Sequence, residues 1–219
     1  MTFKAVIFDL DGTLLDTLFD LGSSMNNVLE KNGFPLHSIE KYRYMIGKGV
    51  EYLVTAALPP CSRDETTIKN MIPEYRDEYN RNWKNRTRPY KGIVELVDKL
   101  HSLYIRLAIL SNKPHDSTEI AVRELLPFEK FDIVLGHRPG RPPKPDPEGA
   151  IEIAEHFQIP PESFLYLGDT DVDMKTAVAA GMYPVGVLWG FRKAEELTEN
   201  GAKVLISKPG ELMDLVIDG

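Results

Sequence analysis

The chain has 219 residues, 42% of them hydrophobic, and a formal net charge of −7, which is the composition of an ordinary globular protein large enough to bury a full core. The acidic balance argues against nucleic acid and against an anionic membrane surface as partners, while leaving a small anionic substrate open because local charge decides that. Cys61 is the only cysteine, so no internal disulfide forms and a reducing, cytoplasmic setting fits; no apolar stretch has the length of a membrane span, and the N-terminal apolar run is too short for a signal peptide.

"KAVIFDL" predicts a buried strand that runs straight into acids, Asp9 and Asp11, followed by Gly12 and Thr13. From about Thr17 to about Arg86 the pattern is helical throughout. "LFDLGSSMNNVLEKNG" reads as a helix ended by Gly33, and "IEKYRYMI" and "KGVEYLVTAAL" as two more. "RDETTIKNMIPEYRDEYNRNW" reads as a last helix that Pro73 should kink or break.

Beyond this region strands and helices alternate. "IRLAILS" (105–111), "FDIVLG" (131–136), "SFLYLGD" (163–169), "YPVGVLWG" (183–190) and "AKVLIS" (202–207) are strands. Their continuous apolar character fits cover on both faces. "GIVELVDKLHSL" (92–103), "DSTEIAVRELL" (116–126), "PEGAIEIAEHF" (147–157), "VDMKTAVAAG" (172–181) and "PGELMDLVI" (209–217) are helices. The alternation predicts an α/β fold, a Rossmann-like parallel sheet with right-handed crossovers. The core is expected over 1–16 and 87–219, with an all-helical domain inserted at 17–86.

In such sheets ligands bind beyond the carboxyl ends of the strands. Asp9 and Asp11 lie at such an end, and residues two apart in an extended segment share a face. Gly12 lets the chain turn sharply after them. Two anions held together need a counter-charge or a proton, and a hard divalent cation such as Mg²⁺ is the economical answer. "LYLGDTDVDMKTA" puts Asp169, Asp171 and Asp173 at a second strand end, with Asp173 one helical turn beyond Asp169. "LAILSNKP" ends a third strand in Ser111, Asn112 and Lys113. "RPPKPDPEG" places Lys144 before a helix, with Asp146 as its N-cap and Pro147 at its first position. Hydroxyl, amide, lysine and helix-start N–H groups make a phosphate cradle. Singly, each feature is more often a turn, a cap or a solvated charge; at successive strand ends of one frame they read as one site.

The ordered set "DLDGTLLDT", "LSNKP", "KPDPEG" and "GDTDVDM" resembles the haloacid dehalogenase-like hydrolase superfamily over nearly the whole chain, with the helical insertion as its cap. The resemblance implies that Asp9 is a nucleophile forming an aspartyl-phosphate, and that Asp11 is the general acid and then the base. It implies Mg²⁺ held by Asp9, Asp169 and the backbone carbonyl of Asp11, with Asp173 on or just behind the metal. Gly12, Ser111, Asn112 and Lys144 would bind the phosphoryl group, Lys144 also orienting Asp9. A carboxylate at position 11 suits a phosphatase or phosphomutase rather than a dehalogenase, because a halide leaves without a proton.

"MIGKGVEYLVTAAL" resembles the Gly-x-Gly segment of phosphoglycolate phosphatase-like caps, and "GVLWGFRKAEELTENGAKVLISKPGEL" resembles the same subgroup. Gly47, Lys48 and Gly49 would then form a cap loop that sets specificity. Lys48 either meets a substrate carboxylate or is the exposed start of a helix. Arg192 reads as a surface residue and His115 as part of a helix N-cap neighbourhood. The implied activity is Mg²⁺-dependent hydrolysis of a small phosphorylated metabolite, 2-phosphoglycolate first, by a monomer or homodimer. An inorganic pyrophosphatase, a sugar-phosphate mutase and a regulatory protein that binds a phosphorylated ligand without turnover stay open.

Overall fold

The computed structural model describes residues 3–217. Strand β1 (Ala5–Phe8) is followed by a two-residue strand β2 (Leu15–Asp16), then helices α1 (Leu18–Lys31), α2 (Val50–Ala57) and α3 (Glu65–Asn82). A second two-residue strand, β3 (Arg88–Pro89), pairs with β2 where the chain leaves and re-enters the α/β part. Then come α4 (Ile93–Ser102), β4 (Arg106–Pro114), α5 (His115–Leu125), β5 (Ile133–His137), α6 (Glu148–Phe157) and β6 (Phe164–Gly168). The chain continues through α7 (Asp171–Ala179), β7 (Tyr183–Val187), α8 (Ala194–Glu199), β8 (Val204–Ile206) and α9 (Leu212–Ile217). Two compact units result: one from the chain up to Leu15 and from Pro89 onward, the other from Asp16–Arg88. Among the described residues no helix is long and apolar enough to cross a membrane.

The first unit is a Rossmann-like α/β fold whose six-stranded sheet runs in the order β5-β4-β1-β6-β7-β8. The pairs are parallel. All four residues of β1 and all five of β6 are buried, as their unbroken apolar runs require of strands covered on both faces. One such face packs Ile7, Leu110 and Tyr166 against Ile153 and Phe157 of α6. The register sets Phe8 beside Ile109 on one neighbour and Leu167 on the other. The residues just past these three strands therefore emerge side by side at one edge of the sheet. The helix α8, a short polar "AEELTE", was not signalled by periodicity.

In the second unit, α1 stops before Gly33, which takes φ +72°, and Phe34 donates its N–H to Leu29 O at 2.9 Å. "IEKYRYMI" is a 3-10 segment, Ile39–Tyr44, not an α-helix. Its six residues lie between an extended Ser38 and Gly47 at φ +112°. Asp64 caps α3 by accepting the Thr67 N–H at 3.0 Å. The helix passes through Pro73 without the break its sequence suggests. A proline removes one ladder hydrogen bond, and here Met71, Tyr75 and Tyr79 bury one face across it. Asp20 Oδ2 accepts from Arg86 N and Thr87 N at 2.8 Å and from Thr87 Oγ1 at 2.9 Å, tying the start of α1 to the chain that leaves α3.

Candidate active site

Asp9 follows β1 directly, and its N–H donates to Leu167 O at 2.9 Å, so the strand pairing itself aims the residue. After it the chain folds into a tight loop: the N–H groups of Leu14 and Leu15 both donate to Leu10 O at 3.0 Å. Gly12 turns that loop at φ +92°, and a Cβ there would lie 2.3 Å from Asp169 Oδ2. Glycine is required twice over, for the dihedral and for the close approach.

Asp169 is fully buried one residue past β6. Its Oδ1 accepts from Thr13 Oγ1 at 3.0 Å and its Oδ2 from Phe191 N at 2.7 Å. Asp173 sits in the first turn of α7 within a capping box, accepting from Thr170 N at 3.1 Å and Thr170 Oγ1 at 2.5 Å. The carboxylates of Asp9, Asp169 and Asp173 converge, each offering an oxygen within 4.8 Å of the others. Asp171, the other acid of this motif, turns away to pair with Lys175 at 2.9 Å.

Lys144 meets this cluster. Its ammonium donates to Asp9 Oδ1 and Asp173 Oδ1, both at 2.7 Å, and to Leu110 O at 2.9 Å, using all three of its hydrogens. Asn112 holds the lysine's backbone from both sides: Lys144 N donates to Asn112 Oδ1 at 2.8 Å and Asn112 Nδ2 donates to Lys144 O at 2.9 Å. The amide side chain is thus spent on the lysine rather than left for a phosphate. Asp146 accepts the Glu148 N–H at 2.9 Å, but Pro147 occupies the cap position and the helix starts one residue later than its sequence suggests.

The charges follow from this geometry. Burial first, and Asp173 next, push the Asp9 carboxyl well above the usual carboxylate range against the pull of Lys144. Burial and Asp173 likewise push Asp169 up to about 7, opposed by the Phe191 N–H, the Thr13 hydroxyl and Arg192. Burial works against the Lys144 ammonium, yet Asp173 and Asp9 outweigh it and raise the lysine above its ordinary value. Three buried carboxylates facing one ammonium form an oxygen-rich, electron-rich nest. That donor set fits a hard divalent cation.

Asp11 stands apart by its side chain. Both of its oxygens accept from Lys113 Nζ at 3.0 Å. Ser111 lies within the buried run of β4, which continues through Lys113, and its Oγ accepts from Lys113 N at 3.2 Å. His115 opens α5, its Nδ1 accepting the Gly136 N–H at 3.3 Å. Arg192 corrects its surface reading: it is 5% exposed, pairs through Nε with Glu196 at 3.0 Å, and favours the charged form of Asp169. Gly47, Lys48 and Gly49 belong to the helical unit, just before α2; both glycines have positive φ and the Lys48 ammonium lies 5.3 Å from the Tyr52 ring centroid.

Three glycines and a tryptophan outside the predicted site residues shape the site. A Cβ at Gly168 would meet Asp173 Cβ at 2.1 Å, and one at Gly190 would meet Asp169 Cβ at 2.2 Å and Gly12 O at 2.5 Å. Gly136 admits the backbone of residues 113–115, with Lys113 O 2.7 Å from where its Cβ would be. Trp189 donates Nε1–H to Thr13 O at 3.0 Å, pinning the loop that carries the acids.

The model of the haloacid dehalogenase-like hydrolases matches residues 6–187. The chain belongs to the haloacid dehalogenase-like hydrolase family. It is 32% identical to a phosphoglycolate phosphatase from Nitrosospira multiformis over 222 residues, covering 99% of this chain and 96% of that one. It is 29% identical to an N-acetylmuramic acid 6-phosphate phosphatase from Pseudomonas aeruginosa over 217 residues, covering 99% and 96%. A crystal structure from Lactobacillus delbrueckii subsp. bulgaricus, of a protein assigned as a phosphoglycolate phosphatase, superimposes with a TM-score of 0.93 at 29% identity over 100% of both chains. This hydrolase is therefore a phosphoglycolate phosphatase-like enzyme of the family, with a buried acidic triad of Asp9, Asp169 and Asp173.

Proposed function

We propose that this hydrolase cleaves small phosphomonoesters through an aspartyl-phosphate on Asp9, with Mg²⁺ as its cofactor and 2-phosphoglycolate as the leading substrate. The observation that carries the reading is the division of labour between the two acids of the first motif. Asp9 is held by Lys144 beside Asp169 and Asp173, whereas Asp11 is held separately by Lys113.

Asp9, Asp169 and Asp173 would hold the cation, and Asp11 would add its backbone carbonyl. When bound, the ion supplies the positive charge that keeps these carboxylates ionised and screens the phosphoryl oxygens. In the reaction the Asp9 carboxylate attacks phosphorus, the P–O bond to the leaving group breaks, and Asp11 gives its proton to the leaving oxygen. Asp11 then takes a proton from the water that attacks the aspartyl-phosphate, which releases inorganic phosphate and restores Asp9. Lys144 orients Asp9 and favours its charged form, and its charge favours the anionic phosphoryl group. The Ser111 hydroxyl, the Asn112 backbone and the Gly12 turn would hold the phosphoryl oxygens.

The substrate class draws on the relatives. Phosphoglycolate and N-acetylmuramic acid 6-phosphate are both phosphomonoesters that also carry a carboxylate. The test is phosphate release with MgCl₂, with and without chelator, over phosphoglycolate, N-acetylmuramic acid 6-phosphate, sugar phosphates without a carboxylate, nucleotides and pyrophosphate. Chelator-sensitive preference for the carboxylate esters supports the reading. Preference for pyrophosphate, or an isomeric phosphate as product, replaces it with one of the other activities of the superfamily.

A further inference from the structure

Lys113 is held at every point the structure describes. Its N–H donates to Ser111 Oγ at 3.2 Å and its carbonyl accepts from Thr118 Oγ1 at 3.2 Å. Gly136 is what lets the strand β5 backbone come this close to it. The side chain is 5% exposed, so the ammonium has given up most of its water, and it faces Asp11, whose side chain is 14% exposed. The two hydrogen bonds to Asp11 are equal, at 3.0 Å each. A lysine serving only as a loose surface charge would keep its ammonium in water. A symmetric two-point contact instead fixes the plane and the direction of the Asp11 carboxyl.

We infer that Lys113 is a positioning residue for Asp11: it aims the carboxyl that delivers the proton to the leaving oxygen, and so sets how well the enzyme handles substrates whose leaving group needs that proton. The inference rests on the reading of Asp11 as the general acid. It predicts a loss that depends on the leaving group, because a displaced acid matters when an alkoxide departs and matters little when the departing oxyanion is already stable. Misplacing a catalytic group by about 1 Å costs roughly 10²-fold.

The experiment compares kcat/KM for 2-phosphoglycolate, an alkyl ester, with that for 2,4-dinitrophenyl phosphate, which expels a stable phenolate. In kcat/KM, which excludes the later hydrolysis of the aspartyl-phosphate common to both esters, Lys113→Met is expected to lose about 10²-fold on the alkyl ester and less than about threefold on the aryl ester. Lys113→Arg, which restores a two-point contact with a carboxylate, is expected to recover most of the loss. Retained kcat/KM on the aryl ester is itself the control for folding, and Lys113→Gln carries the same comparison if the methionine variant does not fold. Equal losses on both esters would make Lys113 a phosphate ligand or a structural residue and overturn the inference, as would no loss on either. Asp11→Asn, run in parallel, should show the same leaving-group dependence with a loss of about 10²–10⁴-fold on the alkyl ester. If Asp11→Asn shows the dependence and the Lys113 variants do not, the inference alone fails. If Asp11→Asn shows none, the general-acid reading fails first and takes the inference with it.

Discussion

Stripped of divalent metal, this hydrolase should become less stable as pH rises from about 5 to about 8, opposite to the usual acid lability of proteins. The cause is the buried triad. Asp169 is pushed up to about 7 and Asp9 moves in the same direction. A carboxyl whose folded value lies above its unfolded one binds its proton more tightly in the folded state. Stability is then greatest below the unfolded value and falls as pH rises toward the folded one. For Asp169, a rise from 3.8 to about 7 corresponds to roughly 4 kcal/mol at about 1.4 kcal/mol per tenfold change in acidity. About two thirds of that is lost between pH 5 and pH 8, so at about 2–4 °C per kcal/mol for a protein of this size the melting temperature in chelator should drop by roughly 5–10 °C across that window.

Other groups act elsewhere. Lys144 is raised, so its contribution is lost only as pH passes its own folded value, far above the window. The half-buried Glu74, Glu78 and Glu152 are lowered by their partners, so what they contribute is lost only on acidification. The assay is thermal melting in EDTA at constant ionic strength from about pH 5 to about pH 8, repeated with MgCl₂, which should remove most of the drop. Asp169→Asn should flatten the slope in EDTA while keeping both local hydrogen bonds, with the amide oxygen accepting from Phe191 N and the amide N–H donating to the Thr13 hydroxyl. A melting temperature that rises or stays level across the window in EDTA, or an unchanged slope in Asp169→Asn, would refute the reasoning.

Asp9→Asn should lower phosphate release by roughly 10³-fold or more with its melting curve intact, and substantial residual turnover would remove Asp9 as the nucleophile. Lys144→Met withdraws the one ammonium shared by Asp9 and Asp173. Breaking a buried pair in this way costs about 3–5 kcal/mol, so urea denaturation should place the variant well below wild type, and an unchanged midpoint would show that the ammonium is not needed there. Gly190→Ala forces a methyl group onto Asp169 and the Gly12 carbonyl. Overpacking costs about 1–3 kcal/mol, and activity should fall with it, whereas Gly210→Ala, with nothing within 4 Å of its Cβ, should behave as wild type.

The strand and helix order was legible because burial on both faces writes itself into a sequence as unbroken apolar runs such as "AVIF" and "FLYLG". The four chemical motifs were legible for a related reason. Three lie at the ends of β1, β4 and β6 and the fourth in the loop between β5 and α6, and spacing within each motif survives as spacing in the site. The segment at Ile39–Tyr44, the short α8 and the uninterrupted passage of α3 through Pro73 were not, since tertiary packing decides such weak local preferences.

What the sequence by itself determined is the frame and the identity of the acids: an apolar strand must end where Asp9 begins, and Gly12 must turn the chain after Asp11. What only the tertiary structure decided is which charge each acid faces. Lys113 meets Asp11 across 102 positions and Lys144 meets Asp9 across 135. Arg192 is buried near Asp169 rather than solvated, and Gly190 is glycine because of a side chain 21 residues earlier. Ion pairing and steric exclusion act over a few ångströms of space, and the separation of two residues along the chain carries no record of that distance.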